Sequence, residues 1–228
     1  MNRPIVDLLE RNRKHADTFD SRFDDVQDGQ HPDAVTVCCS DSRVLQDRMW
    51  GNDRPGQLFT CANIGNRVVQ QTTEGEAVSG DVLYPIEHTG TEIAIVVGHT
   101  GCGAVTATYD HLTSGLSEPP GIEHSIGLLA LKLRDGVETL PDGLDRDEAI
   151  NRLVEYNVDR QVEALLESDD VPHSVTVIGV VYDFQDVYGG QRGEVHVINV
   201  DGMRSVETIR AECPEIEDRV HRLWAYEQ

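Results

Sequence analysis

The sequence predicts an α/β fold: a mostly parallel central sheet of four strands plus an antiparallel edge strand, flanked by helices, with an N-terminal helical arm. Three observations predict it. Ala34–Cys38, Glu92–Gly98 and Ser174–Val181 are short apolar runs rich in β-branched residues, the character of parallel strands buried on both faces. Segments with helical spacing lie between them. A last run, Glu194–Val200, follows the glycine-rich link Tyr188-Gly-Gly-Gln-Arg-Gly193, which is short enough for an antiparallel return at the sheet edge.

Taken in order, Pro4 to Asp28 carry Ile5, Leu8, Leu9, Phe19 and Phe23 among many charges, the pattern of an amphipathic helix with a break near its middle. From the residues alone this arm could pack on its own core or on another subunit. Gly29 and Pro32 end it, and the first strand follows. After Arg43 come a short helix through Met49 and Trp50, a turn at Gly51–Gly56, a strand at Leu58–Ala62 and a loop at Asn63–Asn66. Glu74 to His88 has helical spacing at Ala77, Val78, Val82, Leu83 and Ile86, interrupted by Gly80 and Pro85. A helix is expected over Ala104–Asp110, then a Pro- and Gly-rich loop at Ser114–Gly121. The helical stretches Ile122–Arg134 and Asp147–Glu167 read as a connection, because neither has enough apolar residues for a core of its own. Pro214 to Tyr226, with Ile216, Val220, Leu223 and Trp224, reads as a closing amphipathic helix.

The whole is expected to form one domain over residues 1–228, with an arm at 1–29, a core at 30–201 and a C-terminal helical segment at 202–228. Its formal net charge is -22, from 41 acidic against 19 basic residues, and its only lysines are Lys14 and Lys132. Such a surface repels nucleic acid and anionic membranes, so neither is expected as a partner. An acidic excess with few ammonium groups also fits a salt-rich cytosol, where counterions screen self-repulsion. No apolar run approaches membrane-spanning length and Met1-Asn-Arg-Pro-Ile lacks a signal peptide's apolar stretch, so a cytoplasmic location is expected.

Two stretches carry the chemistry: Cys39-Ser-Asp-Ser-Arg43 and Gly98-His-Thr-Gly-Cys-Gly103. They offer two thiolates and one imidazole, a soft three-ligand set that suits Zn²⁺ and leaves a fourth tetrahedral position free. Each stretch directly follows an apolar strand, and in open α/β sheets ligands collect at the carboxyl ends of strands. Gly101 and Gly103 flank Cys102 at an expected helix N-terminus, where amides and dipole favour a thiolate. Asp41 and Arg43 can form a charge-assisted pair that holds the carboxylate in one rotamer and keeps it ionised. His88, His111, His124, His173, His196 and His221 have no partner at metal-ligand spacing and read as solvated or hydrogen-bonded. Beyond the two ligands, Cys38, Cys61 and Cys213 remain, an odd number that argues against a disulfide framework. Cys38 should face the opposite side of its strand from Cys39 and belong to the core.

In combination, C-x-D-x-R and H-x-x-C make the chain resemble a beta-class carbonic anhydrase, from about Gln30 to Asp201, with Gly179-Val-Val-Tyr-Asp183 similar to that family's late core strand. The resemblance implies one Zn²⁺ per chain on Cys39, His99 and Cys102, with Asp41 and Arg43 as the catalytic dyad. Zinc-bound hydroxide would attack CO₂ to give bicarbonate and a proton. Gln30, Phe59 and Tyr84 match the plant-like branch, in which the equivalents line the substrate pocket, partly across a dimer interface. Gln30 and the Gly103 amide would hold the oxygen on which charge grows. A homodimer or a dimer-based assembly is implied. One departure stands out: Cys61-Ala-Asn63 occupies a place where many members carry Arg-Asn. Two other readings stay open, a carbonyl sulfide or carbon disulfide hydrolase on the same scaffold, and a zinc-stabilised protein without catalysis. It also stays open whether Asp41 is held by Arg43 or swings onto the metal.

Overall fold

The computed structural model describes residues 3–115 and 117–226. Its centre is a five-stranded sheet in the order β2-β1-β5-β6-β7. The strands are β1 (Ala34–Cys39), β2 (Leu58–Asn63), β5 (Ile93–His99), β6 (Thr176–Asp183) and β7 (Glu194–Val200). The first four run parallel and β7 returns antiparallel on β6, as the sequence predicts. All six residues of β1 are buried, since it is covered on both faces and flanked by two strands. Cys38 faces Val44, Val97 and Val180, while Cys39 faces the opposite, helix-covered core, which is the alternation expected of a strand.

Helices α3 (Gly80–Thr89), α4 (Gly103–Ser114), α5 (Pro120–Glu138) and α6 (Arg146–Leu166) contribute to the core on that helix-covered side. The last of these is far more than a connection: thirteen of its residues are buried. Val154 and Val158 lie so close to the sheet that a Cβ on Gly98 would come within 2.8 and 2.7 Å of them. Gly179 is approached in the same way by Val158, at 2.8 Å. Glycine at these two strand positions is what lets the helix rest directly on the backbone.

Two expectations are corrected. Residues 74–78 are not helical: Gly75–Val78 forms β4, paired antiparallel with β3 (Val69–Thr72). The turn between them uses Gly75 at φ 123, and Thr72 closes it by donating its hydroxyl to the Gly75 carbonyl at 2.8 Å. Helix α3 begins only at Gly80, after the Ser79 cap accepts the Asp81 amide at 3.3 Å. Pro85 sits inside this helix without an N–H for the Asp81 carbonyl, and the buried Cys61 thiol donates to that carbonyl instead, at 3.3 Å. Cys61 thus has a structural partner within the fold.

The C-terminal stretch is the second correction. A short helix α7 (Val206–Glu212) precedes it, capped by Ser205, but Pro214–Arg219 makes only a 3₁₀ turn and the chain then runs extended, bridging Val220 to Val197. The reason is competition for backbone groups. Glu155 of α6, fully buried, accepts the amides of Leu223 (2.9 Å) and Trp224 (2.6 Å), together with the Tyr188 hydroxyl (2.6 Å). Arg222 pairs with buried Asp159. Burial pushes the Glu155 carboxyl up to about 7, against the pull of Arg222 and these donors. The arm comes out as expected: α1 (Arg3–Phe19) breaks near the middle of the segment and continues as a 3₁₀ turn to Val26, and it buries none of its residues. Ile5, Leu8 and Leu9 are exposed, so its own core is not what it packs on.

The close approach of α6 yields a direct test. Gly98→Ala should lower stability by about 1–3 kcal/mol through overpacking, read as a lower urea midpoint at unchanged slope.

Candidate metal centre

Cys39 ends β1, His99 ends β5, and Cys102 is the residue just before α4. Because β1 and β5 are parallel neighbours with Cys38 opposite Val97, the two strands end within one residue of each other, with β5 running one residue further. At this carboxyl edge their terminal side chains meet. The three ligand atoms lie within 4.8 Å of one another, and all three residues are buried. The sulfurs of Cys102 and Cys39 are 3.8 Å apart. Two thiolates on one tetrahedral ion, with bonds of ~2.3 Å, stand about 3.8 Å apart, so the spacing fits.

The histidine fits as well. His99 Nδ1 lies 3.0 Å from the Thr100 carbonyl, which places the proton on Nδ1 and leaves the Nε2 lone pair free. Nε2 is buried with no hydrogen-bond partner. An orphaned acceptor beside two sulfurs is costly to bury unless a cation takes it. Without an ion the thiols are unequal. Cys102 donates to Cys39, and that bond, with His99 and the Gly65 amide, pulls Cys39 down to about 4. The same bond and burial push Cys102 up, while the amides of Ala104 and Val105 at the start of α4 pull it down. The helix N-terminus thus favours an anionic sulfur at Cys102, as its place in the sequence suggests.

Asp41 and Arg43 form the expected pair. Arg43 Nε donates to Asp41 Oδ1 at 2.8 Å and Nη2 to Oδ2 at 2.6 Å, a bidentate fork, and the Arg43 amide adds a third bond at 2.9 Å. This grip holds the Asp41 carboxyl well below the usual carboxylate range. Asp41 Oδ2 is also 3.7 Å from His99 Nε2, beside the ligand cluster.

Several supporting residues escape the sequence reading. Asn151 of α6 accepts the Gly101 amide at 2.9 Å, holding the turn between His99 and Cys102, where Gly101 adopts φ 59. Asp183, at the end of β6, accepts the Thr100 hydroxyl at 3.3 Å. Asn157 binds the Gly65 carbonyl at 3.2 Å, steadying the loop whose amide faces Cys39. The Phe184 ring stacks on His99 and covers the Arg43 guanidinium. The signal available in the sequence was the polar residues recurring along an otherwise apolar helix, and the pairing of those residues is a tertiary fact.

Not every predicted site residue is brought together. Gly103 opens α4 with free space around it, beside Cys102. Gln30 is exposed ahead of β1. Phe59 stands opposite Val35. That places it four residues, or about 13 Å, back along the strand from Cys39. Tyr84 is 50% exposed and lies 6.1 Å from the Phe59 ring. These two aromatics form one patch, separate from the ligand cluster of the same chain.

Three converging side chains at the strand ends of an α/β sheet, with an ion-paired carboxylate alongside, form a set that could hold a metal ion with a position left open, unlike a four-ligand structural site. Comparison with known proteins gives the family. The family model for carbonic anhydrases matches residues 34–191, and the chain belongs to that family, in its beta class. The carbonic anhydrase of Helicobacter pylori is 32% identical over 102 residues, 44% of this chain and 46% of that protein. The match therefore spans about half the length of that relative. The carbonic anhydrase of Synechococcus elongatus is 27% identical over 192 residues, covering 84% of this chain and 68% of the relative. A tetrameric beta-carbonic anhydrase of Sordaria macrospora shares the fold, with a TM-score of 0.71 at 20% identity over 87% of this chain and 98% of its own.

The cluster predicts its own metal content. Purified protein should carry one equivalent of metal per chain by elemental analysis, and Cys39→Ser should lose most of it while His88→Ala loses none.

Proposed function

We propose that the protein catalyses the reversible hydration of carbon dioxide to bicarbonate and a proton, with one zinc ion held by Cys39, His99 and Cys102. The observation that carries this reading is the placement of an ionised Asp41, clamped by Arg43, within 3.7 Å of the orphaned His99 Nε2. When bound, the ion supplies Lewis acidity, which makes water nucleophilic near neutral pH.

The chain's own residues then orient and stabilise. Asp41 Oδ1 is occupied by Arg43 Nε and the Arg43 amide, whereas Oδ2 takes only Nη2 and keeps a lone pair towards the ligand cluster. That oxygen accepts the proton-bearing side of the attacking group and turns its free lone pair to the carbon of CO₂. Because the carboxylate is already fixed by the arginine, no reorganisation is needed during the reaction. The exposed Gly103 amide, at the positive end of α4, receives the oxygen on which negative charge grows.

Gln30, Phe59 and Tyr84 serve the site of a second copy in a homodimer. The distance of Phe59 from Cys39 along the same sheet supports this, as does the exposed apolar face of α1, which finds no core of its own to cover. Phe59 and Tyr84 supply apolar wall for a nonpolar substrate.

Asp41→Ala tests the chemistry. It should keep its zinc and lose turnover by about 10²-fold or more in stopped-flow CO₂ hydration. Unchanged turnover would sink the reading, and a faster reaction of the native protein with carbonyl sulfide would reassign the substrate. Two anionic sulfurs leave the site less positive than three imidazoles would, so the rate should climb towards alkaline pH. Asp41 cannot produce that rise, since its folded-state carboxyl ionises far below the range in question.

The shared site has its own check. Cys39→Ser and Tyr84→Ala chains, each nearly inactive, should regain activity when mixed and allowed to exchange subunits. No recovery, in a sample shown by light scattering to be mixed dimers, would refute the contribution from a second copy.

A further inference from the structure

We propose that Phe184 is a positioning residue that keeps Asp41 in the grip of Arg43 and so keeps it off the metal. This rests on the zinc-site reading above and assigns a role to a residue that neither binds the ion nor touches the reacting atoms.

One carboxylate has two possible partners here. Asp41 Oδ2 is bonded to Arg43 Nη2 at 2.6 Å, yet stands only 3.7 Å from His99 Nε2, a ligand atom. A small side-chain rotation would bring that oxygen to the ion. Whatever anchors Arg43 therefore decides which partner Asp41 has. Arg43 is itself half-exposed, with 49% of its side chain open to solvent, so it needs anchors. Beyond Asp41, the structure supplies two: the Gly101 carbonyl, which accepts Nη2 at 3.1 Å, and the Phe184 ring, whose centroid lies 4.7 Å from the guanidinium carbon.

Phe184 is well placed to hold rather than merely to fill. It directly follows β6, and the turn beyond it is pinned by Asp183, which accepts the amides of Gln185 and Tyr188 at 3.0 Å each. Its ring also stacks on His99, with centroids 5.8 Å apart and planes at 25°. One rigid ring thus touches both the metal-ligating imidazole and the arginine of the dyad, fixing the distance between them. An aliphatic side chain would keep the apolar cover but lose the attraction for the cation. The ratio of arginine-held to metal-bound Asp41 should then fall by about tenfold.

The test uses cobalt(II)-substituted protein, whose visible absorption reports the ligands on the ion. Phe184→Leu and the longer, unbranched Phe184→Met should both shift the spectrum towards a carboxylate-bound ion, at full cobalt loading and unchanged thermal midpoint, with kcat for CO₂ hydration falling in proportion to the arginine-held fraction that is lost, by at most about tenfold. Phe184→Tyr, which keeps the ring, should restore the native spectrum. In an Asp41→Asn background the leucine substitution should no longer alter it, because the competing carboxylate is gone. A native spectrum in loaded, folded Phe184→Leu and Phe184→Met would overturn the proposal, provided the unsubstituted protein binds cobalt and hydrates CO₂. Unsubstituted protein that takes up no cobalt overturns both this role and the function it rests on.

Discussion

Two neighbouring parallel strands that end within one residue of each other are the constraint on which this protein's chemistry depends. Parallel hydrogen bonding between β1 and β5 sets the heights of Cys39 and His99 relative to each other, and neither side chain can leave without breaking the sheet. Cys102 then needs only a three-residue turn to join them. The turn is tight because Gly101 takes a left-handed conformation that a side chain would resist. The site's precision is therefore inherited from backbone pairing, which is stiffer than any loop.

A buried trio of two thiols and an imidazole is unfavourable by itself, and the surroundings relieve it from three directions. The start of α4 offers amides to Cys102, the Gly65 loop offers one to Cys39, and the Thr100 carbonyl fixes the His99 tautomer. Two of these supports are held in turn by α6, through Asn151 and Asn157. The same helix clamps the C-terminal segment through Glu155 and Asp159. A single helix thus ties the metal loop, the Gly65 loop and the chain's last described residues to one body, and its polar residues are buried because each has a partner.

The Asp41–Arg43 pair beside this cluster works on a different principle. Asp41 is kept anionic by an adjacent cation and by a bidentate geometry that only arginine provides. Since the pair is partly exposed, its value lies in direction rather than in stability. A flexible lysine at position 43 would keep the charge and lose the aim. The partly buried Phe59 and the half-exposed Tyr84, by contrast, touch each other rather than the dyad of the same chain.

The sequence by itself determined the four parallel strands, the antiparallel return of β7, the clustering of Cys39, His99 and Cys102 and the Asp41–Arg43 pair. Each of these is written locally: apolar runs of strand length, a short glycine-rich link, and chemically matched residues a few positions apart. It could not separate β4 from the head of α3, because Ala77 and Val78 satisfy helical spacing while their pairing with Val69 and Gln70 lies outside the window. Nor could it show that the end of the chain runs extended, since the carboxylate that captures Leu223 and Trp224 is 68 residues away in sequence. The same holds for α6, where Asn151, Glu155, Asn157 and Asp159 look like a solvated face until their partners are seen. What only the tertiary structure decided, then, is which polar groups meet, because a buried hydrogen bond is set by packing at long range and leaves no periodic trace in the residues that make it.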